Sequence, residues 1–329
     1  MERAHFCKEQ VKERPSPKVD WLSGSRHSEA DTNIRAAPRF SLALIPILIL
    51  ILVLAFWTSA VMHGQTPRQS PPRTVVVPSG SLRLKAFLWT PPGPGPFPAV
   101  LFSHGRSNTP QQHTRDLTIT DAAQIIGPVF VKHGYAFLYL FRRGEGLSAD
   151  QGTFIGDLLK REETSKGEEA RKHLQFVLMT TDHLDDALAG VTFLRTLPEV
   201  DIHRIAVAGH SFGGQLTLFA AERSHTVCAA VTFGASANSW TESSDLRERL
   251  LTAVDKITVP VMFLHAANDY SVTPGQAMAS EMARLGKPHV LKIYPPVGQT
   301  ANDGHNFLYT NVPQWEDDVF KFLDENVKR

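Results

Sequence analysis

The chain has 329 residues, with 34 Lys and Arg against 33 Asp and Glu and a formal net charge of +1. Because the charge is balanced and no basic face with interleaved aromatic residues stands out, the composition argues against nucleic acid as a partner. Once the first 72 residues are set aside, the roughly 257 that follow suit a single domain with a core large enough to be self-supporting.

The amino-terminal residues differ in character from the rest of the chain. Residues 1–39 are rich in charge, proline and serine, which is typical of an arm that does not fold alone. Residues 40–62 carry no charge, and at about 1.5 Å per residue such a stretch can cross a hydrocarbon core of roughly 30 Å. Residues 63–72 contain three prolines and are typical of a linker. We therefore expect a single N-terminal transmembrane or signal helix.

Two forms of this helix stay open. Thr58-Ser59-Ala60 resembles the small-residue site of a cleaved signal peptide, whereas an arm of 39 residues before the apolar run is long for one. Arg35 and Arg39, just before the run, favour an amino terminus that remains in the cytoplasm. Either form predicts an exported or membrane-anchored protein, with the residues after 72 outside the cytoplasm.

Apolar runs and helical periodicity alternate through residues 73–329. The predicted elements are, in chain order, strands at 74–77, 82–89 and 99–103, a helix at 122–133, a strand at 135–141, an interrupted helical region reaching 197, a strand at 204–208, a helix at 215–223, strands at 227–233 and 259–265, a helix at 274–285, a strand at 289–294 and a helix at 312–327. This alternation predicts an α/β fold whose mostly parallel central sheet is flanked by helices and begins antiparallel.

The segment at 150–182 is too long to be a bare crossover between strands. Residues 160–172 are dominated by charge and residues 174–179 by apolar side chains. One interpretation is a small helical cap near the mouth of a site, with residues 176–179 lining an acyl pocket. The other is a solvated extension of an ordinary crossover helix.

The sequence Gly209-His210-Ser211-Phe212-Gly213-Gly214 directly follows the predicted strand at 204–208 and precedes the helix at 215–223. A buried strand that runs into Gly-x-Ser-x-Gly and then a helix is typical of a nucleophile elbow, a tight turn that lifts a serine hydroxyl above a sheet. Glycines suit such a turn because a Cβ there would clash with the neighbouring strand and helix. Ser211 is therefore the predicted nucleophile.

A carboxylate and a base follow Ser211 at the exits of later strands. Asp269 comes just after the strand at 259–265, and His305 lies in the polar loop after the last strand. A serine hydroxyl needs a base within hydrogen-bond reach, and imidazole accepts its proton while a carboxylate orients the ring. We predict a triad of Ser211, Asp269 and His305, with Asp303 as the competing carboxylate.

Two main-chain N–H groups and four side chains complete the predicted site. The loop Ser103-His104-Gly105-Arg106 follows the strand at 99–103, so the N–H groups of Arg106 and Phe212 are the predicted oxyanion hole. The candidate substrate contacts are His104, His210, Arg143 and Trp240. For His104 the alternative is a role in holding its own loop. For Arg142 and Arg143 the alternative to binding a substrate carboxylate is an ion pair with a carboxylate such as Glu145.

These residues, in the chain order Ser, Asp, His, resemble the α/β-hydrolase superfamily, and within it the dienelactone-hydrolase-like and prolyl-oligopeptidase-like serine hydrolases. The resemblance covers residues 73–329 and is carried by the stretches 103–106, 209–214, 265–274 and 303–307, and by Arg142-Arg143-Gly144-Glu145-Gly146, which is similar to an Arg-Gly-x-Gly turn of these proteins. Dienelactone hydrolases proper carry cysteine where this chain has Ser211. That departure favours ordinary esters or peptides over dienelactone as substrate.

The resemblance implies an enzyme that cleaves carboxylic esters of small molecules through an acyl-enzyme and needs no cofactor. No metal is expected either, since no His-Glu-x-x-His or Cys-x-x-Cys pattern occurs. A peptidase acting on short peptides is the alternative, although such peptidases usually carry a large amino-terminal propeller, for which 72 residues are too few. A non-catalytic binding or receptor module on the same fold is the alternative from another class.

Overall fold

The computed structural model describes residues 71–114 and 116–328. Eight strands in these residues form one sheet: β1 (Arg73–Ser79), β2 (Leu82–Trp89), β3 (Phe97–Ser103), β4 (Ala136–Leu140), β5 (Val200–His210), β6 (Val227–Phe233), β7 (Val261–Ala266) and β8 (His289–Tyr294). Their order across the sheet is β1-β2-β4-β3-β5-β6-β7-β8.

The pairing of the strands shows how the sheet is wound. β1 and β2 form an antiparallel hairpin, and β2 lies antiparallel to β4. Every later pairing, from β3 with β4 to β7 with β8, is parallel. All residues of β6 and β7 are buried, as expected of parallel strands covered on both faces. The predicted mostly parallel sheet with an antiparallel start is confirmed.

Helices cover both faces of this sheet. One hydrophobic cluster packs beneath the first and last helices, and a second beneath the helices of the middle of the chain. The helices are α1 (Ile119–Lys132), α2 (Ile155–Lys166), α3 (Glu168–Thr180), α4 (Asp182–Leu194), α5 (Phe212–Arg223), α6 (Ser244–Lys256), α7 (Thr273–Arg284), α8 (Ala301–His305), α9 (Phe307–Thr310) and α10 (Val312–Val327), with a 3₁₀ turn at Gly146–Ser148.

Helix α6 is absent from the elements that the sequence analysis predicts. Its buried residues Leu246, Leu250, Ala253 and Val254 recur at helical spacing. Ser243 caps it by accepting a hydrogen bond from the Leu246 N–H at 3.2 Å. Both signals are present in the sequence, but the charged residues between the apolar ones obscure the period. The strands at 227–233 and 289–294 and the helix at 312–327, by contrast, have the predicted bounds.

Within residues 71–114 and 116–328, no helix is both long and apolar enough to span a bilayer. The arm at 1–39, the transmembrane or signal helix at 40–62 and all but the last two residues of the linker at 63–72 lie outside the described residues. These three expectations stay predictions.

Candidate active site

Ser211 lies between β5, which ends at His210, and α5, which begins at Phe212. Its backbone has φ 54° and ψ −115°, a sparsely populated conformation that costs roughly 1–3 kcal/mol. The surrounding packing holds this strain, because a Cβ on Gly213 would lie only 1.9 Å from the carbonyl oxygen of Ser103. The first turn of α5 therefore packs against the end of β3, and Ser211 lines a cavity at this edge of the sheet.

His305 and Asp269 meet at the same edge. His305 ends the short helix α8, Asp269 follows β7, and the Nδ1 atom of His305 lies 2.7 Å from Oδ1 of Asp269. Because a carboxylate only accepts hydrogen bonds, Nδ1 carries the proton and Nε2 is left as the basic nitrogen. Both side chains are buried, with Asp269 7% and His305 6% exposed. His305 lines the same cavity as Ser211.

A second histidine, which the sequence analysis does not single out, holds the other oxygen of the carboxylate. Nδ1 of His265, in β7, lies 2.9 Å from Oδ2 of Asp269, and the N–H of Tyr270 donates to Oδ1 at 2.7 Å. Burial alone would raise the pKa of Asp269, but the hydrogen bonds from His265 and His305 outweigh it and lower the pKa to about 2. Asp269 is thus a carboxylate at any physiological pH.

Asp303, the competing carboxylate, has a different task. Its Oδ2 atom accepts from the N–H groups of Gln299 and Thr300 at 2.9 Å each. Its own N–H donates to Oγ1 of Thr300 at 3.1 Å, which completes a capping box at the start of α8. Asp303 therefore shapes the helix that carries His305, and Asp269 is the carboxylate bonded to the ring.

Two main-chain N–H groups beside Ser211 have no acceptor among residues 71–114 and 116–328. They belong to Phe212, the first residue of α5, and to Arg106, in the loop after β3. Both residues line the cavity, and Gly105 packs so close that a Cβ on it would lie 3.4 Å from the Ser211 Cβ. An oxyanion hole at Ser211 would require unpaired N–H groups in this position.

The cavity has a volume of about 980 Å³, and the helices α2 and α3 form one of its sides. They contribute mostly polar residues to the lining: Gly156, Leu159, Lys160, Glu163, Arg171 and Gln175. None of residues 176–179 lines this cavity, although Phe176 and Met179 border a small pocket next to it. Met179 is fully buried in the hydrophobic core, Phe176 and Leu178 pack against the same core, and Val177 is on the surface. Helix α3 turns its polar side to the cavity because its apolar side faces the core.

Three of the four candidate substrate contacts, His104, Arg143 and Trp240, do not line the cavity. His104 is fully buried beneath its own loop. Arg143 is held by Asp186, with contacts of 2.9 Å from Nε and 2.7 Å from Nη2. Trp240 packs in the hydrophobic core. His210 does line the cavity, and its Nε2 donates to the main-chain oxygen of His305 at 2.8 Å.

Comparison with known proteins identifies relatives of this fold. The model of the dienelactone hydrolase family matches residues 148–316, just over half of the chain. Over 70 residues the chain is 41% identical to a protein of Mycobacterium phage D29 that is named, provisionally, as a non-heme haloperoxidase. That match covers 21% of this chain and 25% of the phage protein.

Among solved structures, acylaminoacyl peptidase from Pyrococcus horikoshii is similar with a TM-score of 0.56 and 17% identity, covering 82% of this chain and 42% of that one. Dienelactone hydrolase from Anabaena variabilis has a TM-score of 0.54 and 19% identity, covering 79% of this chain and 100% of that one. A puromycin-hydrolyzing peptidase from Mycobacterium tuberculosis has a TM-score of 0.56 and 18% identity, covering 80% and 42%. The chain spans less than half the length of either peptidase.

Sheet topology and the serine elbow together define the α/β-hydrolase fold, as the sequence predicts. The family match extends over more than half of the residues. The chain therefore belongs to the dienelactone hydrolase family, and the resemblance stated from its motifs is confirmed.

Proposed function

We propose that the protein is a serine hydrolase that cleaves carboxylic esters of small molecules through an acyl-enzyme. One observation carries the proposal: a strained serine at the head of a helix lines the same cavity as a histidine whose Nδ1 lies 2.7 Å from a buried carboxylate. Backbone strain such as that at Ser211 is found mainly at functional sites, where it is part of the mechanism. Ser211, His305 and Asp269 then have the roles of nucleophile, base and orienting group.

The proposed chemistry follows from the protonation of the three groups. Nε2 of His305 takes the hydroxyl proton of Ser211 as the oxygen attacks the ester carbonyl, and the imidazolium then gives that proton to the departing alkoxide. Asp269, ionised at neutral pH, stabilises the imidazolium. The oxygen that becomes negative is held by the N–H groups of Arg106 and Phe212, each worth roughly 3 kcal/mol of barrier. Water, deprotonated by Nε2 of His305, then attacks the acyl carbon, and the imidazolium returns the proton to the Ser211 oxygen as the acid leaves.

Ester cleavage is the preferred activity because the matching family is named for a lactone hydrolase, and a lactone is a cyclic ester. The polar lining of the cavity suits a hydrophilic substrate rather than a long alkyl chain. Peptide cleavage uses the same groups but releases an amine instead of an alcohol. Ester and amide substrates therefore distinguish the two activities.

The test compares nitrophenyl esters with aminoacyl nitroanilides on the full-length chain and its Ser211→Ala variant. We expect the esters to be turned over, the anilides to react far more slowly, and the variant to lose roughly 10⁴-fold or more in kcat/KM. Faster turnover of the anilides would show that the protein is a peptidase rather than an esterase. Hydrolysis that survives in Ser211→Ala, or its absence from the unmodified chain, would contradict the proposed chemistry.

A further inference from the structure

Arg142 is a fully buried cation just behind the proposed oxyanion hole. It is 1% exposed and does not line the cavity. Its Nη1 donates to the main-chain oxygen of His104, and its Nη2 donates to the main-chain oxygen of Gly105 at 2.9 Å. Nη2 also lies 2.8 Å from Oε2 of Glu145. One guanidinium thus holds two consecutive carbonyls of the loop that carries Arg106.

The Gly105 carbonyl has a second donor on the same buried side. Nδ1 of His104 lies 2.8 Å from it, and because a carbonyl only accepts, this nitrogen carries the proton. Burial, and then the charge of Arg142, hold the pKa of His104 well below its usual value. The ring is therefore neutral, and its Nε2 lies 3.4 Å from the main-chain nitrogen of Arg142 and 3.3 Å from Oε2 of Glu145. Both donors fix the direction of one peptide oxygen.

That oxygen and the Arg106 N–H belong to the same peptide unit. The bond between Gly105 and Arg106 is trans, so its C=O and N–H point in opposite directions. With the oxygen directed at the buried Arg142, the N–H is directed the other way, towards the cavity that Gly105, Arg106 and Ser211 line.

Gly105 makes such an anchor necessary. A Cβ at this position would lie 2.9 Å from Nδ1 of His210 and 3.0 Å from Cε1 of His113, so a side chain is excluded by close packing. Glycine, however, tolerates many backbone conformations. The peptide that follows it is free to rotate unless its oxygen is held.

We infer that Arg142 is a positioning residue that, with His104, aims the Arg106 N–H into the oxyanion hole by anchoring the Gly105 carbonyl. The inference rests on the proposed hydrolase function and deepens it. A simpler role for Arg142, that of an ion-pair partner for the buried Glu145, makes a different prediction, because it assigns no special part to the carbonyl contacts.

The experiment uses the full-length chain with Arg142→Lys, which keeps the charge but loses the two-pronged donor, and with Glu145→Gln, which removes the ion pair but leaves the carbonyl contacts. We expect Arg142→Lys to lower kcat for a nitrophenyl ester by up to roughly 10²- to 10³-fold, the range for loss of an oxyanion donor, with KM nearly unchanged. The affinity for a trifluoromethyl ketone, which forms a negatively charged oxygen on Ser211, should fall in parallel. Glu145→Gln should keep kcat within about threefold.

Folding is checked by near-ultraviolet circular dichroism, and if Arg142→Lys does not fold, His104→Gln removes the second donor and serves in its place. Equal losses in Arg142→Lys and Glu145→Gln would overturn the inference in favour of the ion pair. A folded Arg142→Lys, or a folded His104→Gln in its place, with unchanged kcat and unchanged ketone affinity would overturn it outright. If the unmodified chain shows no Ser211-dependent hydrolysis, the proposed function fails, and this inference fails with it.

Discussion

Asp269, 36 residues before His305, and Asp303, two residues before it, act on different parts of the same histidine. Asp269 bonds the ring of His305, whereas Asp303 caps the helix that carries it. We predict that Asp269→Asn lowers kcat by roughly 10⁴-fold, because an amide can stabilise the wrong imidazole tautomer. Asp303→Asn should instead weaken the cap of α8 slightly and change kcat little. Steady-state kinetics and urea unfolding of both variants give the ranking, and the reverse order would contradict the assignment.

The pKa of Asp269 also predicts how stability depends on pH. Its folded value of about 2 lies below the usual ~3.9 of aspartate, so the native state binds fewer protons at this site than the unfolded chain. The stabilisation is therefore fully present above about pH 4 and is lost as the pH falls towards 2, by roughly 2–3 kcal/mol. Urea unfolding between pH 5 and 2 should show this extra loss in the unmodified chain and not in Asp269→Asn. If both proteins lost the same amount of stability over this pH range, the low pKa of Asp269 would not be its cause.

The sequence indicates Ser211, Asp269 and His305 because each follows an apolar run, and parallel strands bring their exits to one edge. It does not single out His265, whose partner is a carboxylate only four residues on, brought back by the turn after β7. The sequence does suggest an ion pair of Arg142 or Arg143 with a carboxylate such as Glu145, and Arg142 lies 2.8 Å from Glu145. It does not indicate the Gly105 carbonyl, 37 residues back from Arg142, or Asp186, which reaches Arg143 from another element.

At the scale of elements, the elbow depends on how closely α5 approaches β3. A Cβ on Gly213 would lie 1.9 Å from the Ser103 carbonyl oxygen and 2.4 Å from that of His104. Neither main-chain atom can move without displacing the loop that carries Arg106. Gly213→Ala should therefore abolish activity and lower stability by several kcal/mol. At Gly80, in the turn between β1 and β2, no atom lies within 4 Å of the Cβ position. Gly80 has φ 56°, a left-handed conformation that asparagine adopts more readily than most residues. Gly80→Asn is therefore the control and should change little, as measured by thermal unfolding and ester turnover.

Helices α2 and α3 supply one apolar side chain to the cavity and another to the core. Leu159 lines the cavity and is 4% exposed, whereas Met179 is fully buried away from it. Leu159→Ala and Met179→Ala should each cost roughly 2–5 kcal/mol of stability. Only Leu159→Ala should shift relative kcat/KM towards longer acyl chains, by about 1–3 kcal/mol. The test measures kcat/KM for nitrophenyl esters of increasing acyl chain length, under conditions in which both variants are folded. The same shift in both variants would contradict the orientation of these helices.

Strand and helix periodicity predicts most of these elements, because buried parallel strands are short continuous apolar runs. The prediction fails where charged residues interrupt the helical spacing of apolar ones, as in α6. It also fails where apolar side chains could pack against either of two surfaces. Phe176 and Met179 could face a substrate or the core on sequence alone, and the position of α3 against the core decides it.

At the scale of the whole molecule, the uncharged stretch at 40–62 leads us to predict that the hydrolase domain lies outside the cytoplasm. A reporter active only after export, fused after Arg73, should give signal, and one active only in the cytoplasm should be silent. The size of the fusion then separates a cleaved signal peptide from a retained anchor. The opposite pattern of reporters would refute the prediction.

The most direct measurement of the central claim is covalent trapping of the nucleophile. The full-length chain is mixed with a fluorophosphonate, its intact mass is measured, and the modified peptide is sequenced by mass spectrometry. We predict one adduct per chain, on Ser211, with labelling abolished in Ser211→Ala and slowed by several orders of magnitude in a folded His305→Ala variant. An adduct on another residue, or labelling that persists in Ser211→Ala, would contradict the assignment of Ser211 as the nucleophile.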